Sequence, residues 1–312
     1  MKTISKIACA VALASGATVA SATPLTELFF SQAAGWVDPV VSEQLPGDVT
    51  FSDGTATGAP AGTQTTMSWS GATSGTSMIS IDSYDSDSSP DPQKLFDATP
   101  TEWNQGDIWA IDRLVQTNEV LSGGSFGNPT WVANTLANFR VFDDAVGGNE
   151  VLSDLNSATT LEFWETENTG TCAGSPSPLF DNGDGGNCDD RYLVNLGAFA
   201  PLQFVQDGYV YEIGFTLING NAYDGPNGTG NVVGSTLICG FPTIVDARCD
   251  AEATPPAGQV AVYTPEIAPG STEVFVAAFW TAREVPAPSA LALLGAGLAG
   301  LGFAGRRKKV KA

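Results

Sequence analysis

The sequence contains no histidine. That absence removes Ser-His-Asp and Cys-His hydrolysis, His-ligated zinc and HExxH proteolysis at once, because each needs an imidazole to move a proton or hold a metal. Basic side chains are nearly as scarce. All 34 acidic residues lie within residues 23–284, where only Lys94, Arg113, Arg140, Arg191, Arg248 and Arg283 oppose them, leaving −28 for that stretch. Such a surface repels nucleic acid and anionic lipid, offers phosphate no basic groove, stays well solvated and attracts cations. No two cysteines stand in a CxxC spacing, so with histidine absent a structural zinc site has no ligand set. Helical periodicity is almost absent, and no Pro-rich linker or internal repeat divides the middle of the chain.

What is present reads as strand. Alternating or β-rich runs occur at 66–69, 77–81, 139–142, 160–164, 209–218, 260–263 and 273–280, separated by clusters of Gly, Asn, Asp, Ser and Pro. Many short strands with polar turns predict an all-β fold, a β-sandwich of jelly-roll-like kind, in which each sheet buries one face against the other. Residues 47–60 and 82–92 read as loops, since they offer little to bury.

The ends differ from the middle. Lys2 and Lys6 precede an apolar stretch at 7–19, and Ala20-Ser21-Ala22 gives the small-x-small pattern of a secretory cleavage site. Residues 1–22 are therefore expected to be a signal peptide, and 23–284 the exported acidic domain. At the other end Val285-Pro286-Ala287-Pro288-Ser289 leads into a small apolar run, 290–304, followed by Arg306-Arg307-Lys308-Lys309 and Lys311. The 17 residues from Ser289 to Gly305 would reach about 25 Å as a helix, marginal for a hydrocarbon core of about 30 Å. Such a segment suits transient residence in the inner membrane, with the basic end held on the cytoplasmic side; a plain tail anchor is the alternative.

The proline-bracketed motif, apolar run and basic end together resemble the PEP-CTERM sorting signal, with Ala287 standing where the family has a central Glu. That resemblance implies recognition by an exosortase in a Gram-negative bacterium that makes exopolysaccharide. It places residues 23–284 in the cell envelope, on the outer surface or in the extracellular matrix, and makes 285–312 a sorting segment.

Export to an oxidising compartment also bears on the cysteines. Cys9 falls in the signal peptide, leaving Cys172, Cys188, Cys239 and Cys249 as two expected disulfides. Four cysteines allow three pairings; the local one, Cys172 with Cys188 and Cys239 with Cys249, is favoured because each pair flanks a short Gly-containing or turn-like stretch. Closing the 15 residues between Cys172 and Cys188 would contribute about 3 kcal/mol on the chain-entropy model.

Four constellations invite functional readings. Glu165 and Glu167, two apart on an extended strand, would share a face and form the best available carboxylate pair, although a glycosidase opposes its two carboxylates across a bond. The run Asp181-Asn182-Gly183-Asp184-Gly185-Gly186-Asn187-Cys188-Asp189-Asp190 concentrates hard oxygen ligands suited to calcium, without EF-hand spacing; Asp181, Asp184, Asp189 and Asp190 are the candidate ligands, and ordinary turn chemistry is the competing reading. Asp85, Asp87 and Asp91 pose the same choice. Seven tryptophans could include a sugar-stacking platform, but burial is the larger energetic use of an indole.

A second resemblance runs through the middle. Phe163-Trp164-Glu165-Thr166-Glu167-Asn168, then Cys172 and a Gly/Asn-rich loop ending Cys188-Asp189-Asp190, is similar to a pattern in the THxN family of PEP-CTERM proteins, as are Trp69 and the strand from Gly75 to Ile79. Val115-Gln116-Thr117-Asn118 occupies the place of the namesake motif and keeps its Asn118. The family implies an exported protein and supplies no reaction. The sequence thus points to a non-enzymatic surface or matrix protein whose partners are an exosortase and exopolysaccharide; a carbohydrate-binding module and a carboxylate-dependent glycan-active enzyme are the alternatives.

Overall fold

A computed structural model describes residues 23–41, 49–55, 59–70, 76–83, 101–118, 129–144, 148–165, 189–219, 237–242, 244, 249, 254–264 and 270–285. They form an almost wholly β structure. The strands are β1 (Glu27–Val41), β2 (Thr50–Ser52), β3 (Thr66–Ser70), β4 (Thr76–Ser83), β5 (Thr101–Asn104), β6 (Trp109–Asn118), β7 (Trp131–Phe142), β8 (Glu150–Trp164), β9 (Asp190–Asn195), β10 (Leu202–Gln206), β11 (Tyr209–Asn219), β12 (Leu237–Cys239), β13 (Gln259–Thr264) and β14 (Gly270–Glu284), with one 3₁₀ turn at Leu196–Phe199. Every run read as strand from the sequence lies inside one of these. The stretch 47–60, expected to be loop, contributes the short β2, whose Thr50 hydroxyl meets that of Ser68 on β3 at 2.8 Å.

Two seven-stranded antiparallel sheets result. The first has the order β12-β13-β9-β8-β7-β1-β5, the second β10-β11-β14-β6-β4-β3-β2. Alternation decides which side chains meet between them. On β7 the residues Trp131, Ala133, Thr135, Phe139 and Val141 are buried while Asn134 and Arg140 are exposed. At one end of the interior, indole and phenyl rings pack edge to face and stacked: Trp131 stands 5.4 Å from Trp69, 5.0 Å from Phe163 and 6.0 Å from Trp36. Rings at these separations add attraction beyond the area they bury.

The register slips at several points, two of which place side chains used below. Between β6 and β14 the register passes from Asp112↔Val276 to Ala110↔Ala277, so Ile111 is the extra residue of a β-bulge. Between β7 and β8 it passes from Ala137↔Ser157 to Asn138↔Leu155, and the extra residue, Asn156, takes φ 59° with its N–H donated to Asn138 Oδ1 at 3.0 Å. Asparagine is among the few non-glycine residues that tolerate that conformation. Gly35 on β1 has a different necessity: a Cβ there would lie 2.7 Å from Thr63 Cβ, beside the isolated bridge that Trp36 makes with Gln64.

The chain groups into two compact units. Thr26–Phe204 with Tyr211–Thr281 is the sandwich; Met1–Leu25, Val205–Val210 and Ala282–Ala312 form the other. Among the described residues of the smaller unit, Asp207 (φ 50°) and Gly208 (φ 82°) are the central residues of a two-residue hairpin turn of the I′ kind, and Val285 donates its N–H to Gly208 O at 2.8 Å.

Candidate functional site

The interior is not filled evenly. On β7 the inward positions run from Trp131 through Ala133, Thr135 and Ala137 to Phe139, and the facing inward positions of β8 run from Phe163 through Leu161 and Thr159 to Ser157. Where those side chains are small the sheets cannot close on one another, and a cavity of about 240 Å³ opens between them. The second sheet contributes Ile79, Ile81, Leu114 and Val274 to its apolar wall. The exposed Gly197 and Ala200, at the 3₁₀ turn, also line it and mark its rim.

Its polar lining includes Gln32, Asp112, Gln116, Asp154, Thr264 and Thr272, and two amide–carboxylate pairs, each with one member on β6, stand there; Asp190, the partner in the second, lies outside the lining. Gln32 on β1 donates from Nε2 to Asp112 Oδ2 at 2.8 Å, and Gln116 donates from Nε2 to Asp190 Oδ2 at 3.1 Å. Each bond crosses from one sheet to the other. Gln32, Gln116 and Asp112 are 3%, 3% and 8% exposed, and Asp190 is fully buried. Ile111 and Asp112, the two residues at the bulge, both line the cavity, which is how the slip in register aims the carboxylate inward. Gln32 Oε1 and Thr264 Oγ1 also belong to lining residues, and both atoms are buried without a hydrogen-bond partner among the described residues. Among the described residues no lysine or arginine lines the space.

The residues singled out in the sequence fall elsewhere or become structural. Glu165, just beyond β8, is 5% exposed; its N–H donates to Thr130 Oγ1 at 2.8 Å and its Oε2 accepts from Trp69 Nε1 at a long 3.5 Å. Phe163 lies 5.2 Å from Trp69, so three of the residues that resemble the THxN pattern, Trp69, Phe163 and Glu165, meet at one place in the core. Thr166, Glu167 and Asn168 lie outside the described residues. Asn118 pairs with Gly270 at the end of β6.

Of the four candidate calcium ligands, Asp189 and Asp190 are buried, and Asp190 receives the Gln116 amide; Asp181 and Asp184 lie outside the described residues, as do Asp85, Asp87 and Asp91. Among the described residues no cluster of three metal-ligating side chains occurs. Trp36, Trp69, Trp103, Trp131 and Trp280 are buried to within 1%, as indoles used for packing would be. Trp164 is half-buried, with the Arg191 guanidinium 4.2 Å from its ring centroid. Burial pulls the Arg191 pKa below its ordinary value, opposed by Tyr263 and Glu162.

Cys239 and Cys249 form a disulfide, with Cα atoms 5.5 Å apart. Cys172 and Cys188 lie outside the described residues. The local pairing expected for the second pair is therefore the one observed.

At the C-terminal end, β14 delivers the chain to Val285, directly at the proline-bracketed segment. The chain carries a PEP-CTERM protein-sorting motif, at residues 284–308. No curated protein matches the chain. The PEP-CTERM motif implies export to the cell envelope of a Gram-negative bacterium and processing by an exosortase. Of its residues Glu284 and Val285 are described; Pro286, Ala287, Pro288, Arg306 and Arg307 are not, nor are residues 1–22. Among the described residues no helix is long and apolar enough to cross a membrane.

The cavity was not anticipated. Its signal lay in β6, where Asp112 and Gln116 interrupt an otherwise apolar inward row, Leu114 between them.

Proposed function

We propose that this is a non-enzymatic cell-surface or matrix protein, sorted by an exosortase and held in association with exopolysaccharide. The observation that carries the reading is the PEP-CTERM motif at 284–308 following an exported-type acidic domain. The burial of Glu165 supports the non-enzymatic part: its carboxylate accepts from the Trp69 indole and is 5% exposed, a setting that suits a core group better than one meeting a glycan. The burial of five tryptophans supports it against a sugar-binding module built on an indole platform.

The test is retention and processing in a native host. Protein recovered from the surface or matrix should end near Pro288 by intact mass, and a chain truncated after Glu284 should be lost to the medium or periplasm. Recovery of surface protein with Arg306 and Arg307 still attached would overturn the sorting step. Turnover of matrix polysaccharide by the purified protein, abolished in a folded Glu165→Gln variant, would overturn the non-enzymatic reading.

A further inference from the structure

We infer that the inter-sheet cavity is a binding site for a small aliphatic molecule whose head group is a hydrogen-bond donor, a hydroxyl or an amine. This goes beyond the sorting and matrix role and does not depend on it.

Size sets the first limit. An apolar cavity of about 150 Å³ admits a benzene molecule. At about 240 Å³ this one has room for roughly nine or ten heavy atoms on the same scale. Its walls set the second, since Ile79, Ile81, Leu114, Leu161, Val194 and Val274 favour an aliphatic body.

The polar groups set the head. An ionised Asp112 can only accept, so the Gln32 amide must turn its NH₂ toward Asp112 Oδ2, which leaves the carbonyl Oε1 as the unpartnered atom. A buried acceptor without a partner costs stability unless a donor reaches it. Gln32 is 3% exposed, and no other described residue meets that oxygen. Thr264 Oγ1, also 3% exposed and unpartnered, lies on β13, on the far side of β9, β8 and β7 from Gln32 on β1. Those four strand spacings amount to about 19 Å, too far for one ligand of this size to reach both atoms. Gln32, beside the Asp112 carboxylate, is the head-group site.

Charge sets the sign. Asp112 and Asp154 line the cavity and, among the described residues, no lysine or arginine does, so an anionic head is repelled and a neutral or cationic one is accepted. Gly197 and Ala200 at the 3₁₀ turn supply the entrance, where small side chains leave the rim open.

The experiment compares three probes of one chain length, 1-octanol, octylamine and octanoate, by calorimetry on the purified full chain at neutral pH. Octanol and octylamine should bind saturably at one site and raise the melting temperature with concentration as linkage requires; octanoate should bind at least about tenfold more weakly. If octanol alone binds, the natural head is a neutral hydroxyl; if octylamine is the tighter, Asp112 acts through its charge. Ala137→Leu, which fills space where the inward side chains are small, should reduce binding of both by about tenfold or more while the melting temperature holds or rises. Gln32→Met should weaken octanol about fivefold. Because that change also removes one partner of Asp112 and can disturb folding, its melting curve is recorded alongside, and Met78→Gln, at an exposed position outside the cavity lining, serves as the folded control and should leave octanol affinity unchanged. Absence of saturable binding, equal affinity for all three probes, or binding indifferent to Ala137→Leu would overturn the proposal and leave a hydrated void.

Discussion

Breaking the Cys239–Cys249 bond isolates one loop closure in a domain expected to hold two. The two cysteines are 10 residues apart in sequence, and the chain-entropy relation then gives about 2.7 kcal/mol at 25 °C for the cross-link. Cys239 is fully buried in a cluster with Leu193, Leu237, Ala261 and Tyr263, whereas Cys249 only packs against it. Cys249→Ala therefore removes the bond and leaves the buried sulfur in place as a small apolar group. In a domain of this size a loss of that magnitude corresponds to a fall in melting temperature of roughly 5–10 °C. The assay is thermal unfolding followed by circular dichroism, with and without reductant. Wild type under reductant should fall further than oxidised Cys249→Ala, because reductant also opens the expected Cys172–Cys188 bridge. Reductant should then lower the variant again by an amount set by that second, longer loop, about 3 kcal/mol. A variant melting within about 1 °C of wild type would refute loop closure as the source of stabilisation at this position.

Four further outcomes follow from particular contacts. Arg113 and Glu273 form an ion pair at 2.7 Å with 12% and 18% of their side chains exposed; burial raises the Glu273 pKa, and Arg113 opposes the rise. Because the folded state then holds that proton more tightly, its contribution is full below the ordinary glutamate pKa and is lost as pH rises through the raised value, so wild type should lose stability relative to Glu273→Gln as pH is raised from below the ordinary glutamate pKa toward neutrality in urea titrations; a relative gain would mean that the ion pair outweighs desolvation. At neutral pH Arg113→Ala should cost about 2 kcal/mol, less than the 3–5 typical of a fully buried pair because solvent still reaches both groups, as chemical denaturation would register. Trp131→Ala should cost about 3–5 kcal/mol and disperse the near-ultraviolet signal of the ring cluster. Asn156→Ala should cost about 1 kcal/mol and Asn156→Gly little, measured by the same unfolding curves, since only the first places a poorly tolerated side chain at φ 59°.

The strands visible in the sequence were those with one clean apolar face, such as the C-terminal part of β8, or with an unbroken β-rich run, such as β13 and β14, which are buried on both faces. β1 also has both faces covered, Phe29 and Ala33 being as buried as Phe30 and Ala34, but Gly35 and Pro39 interrupt its apolar residues and read as breakers. The five-residue β10 and three-residue β12 are too short to establish a period. At the candidate site, Trp69, Phe163 and Glu165 were legible as a group of motif residues, while their convergence was not, since 96 residues separate Trp69 from Glu165. Glu165 looked like half of a carboxylate pair from its neighbour Glu167; it meets Trp69 and Thr130, which lie 96 and 35 residues away in sequence.

β6 ties these failures to the cavity. Asp112 and Gln116 break the alternation that would have announced the strand, and they are the residues that tie the two sheets together through Gln32 and Asp190. Two carboxylate–amide pairs inside a sandwich are a poor choice for stability alone. Apolar residues of similar volume generally hold a core as well or better, and the Gln32 amide, with its carbonyl left unpartnered, weakens the case further. The same sequence packs aromatic rings tightly a few residues away along β7, so filling the space lay within its means. Local rules broken in one place, beside a bulge and small inward side chains that keep a cavity open, are the pattern expected of a site retained for what it holds.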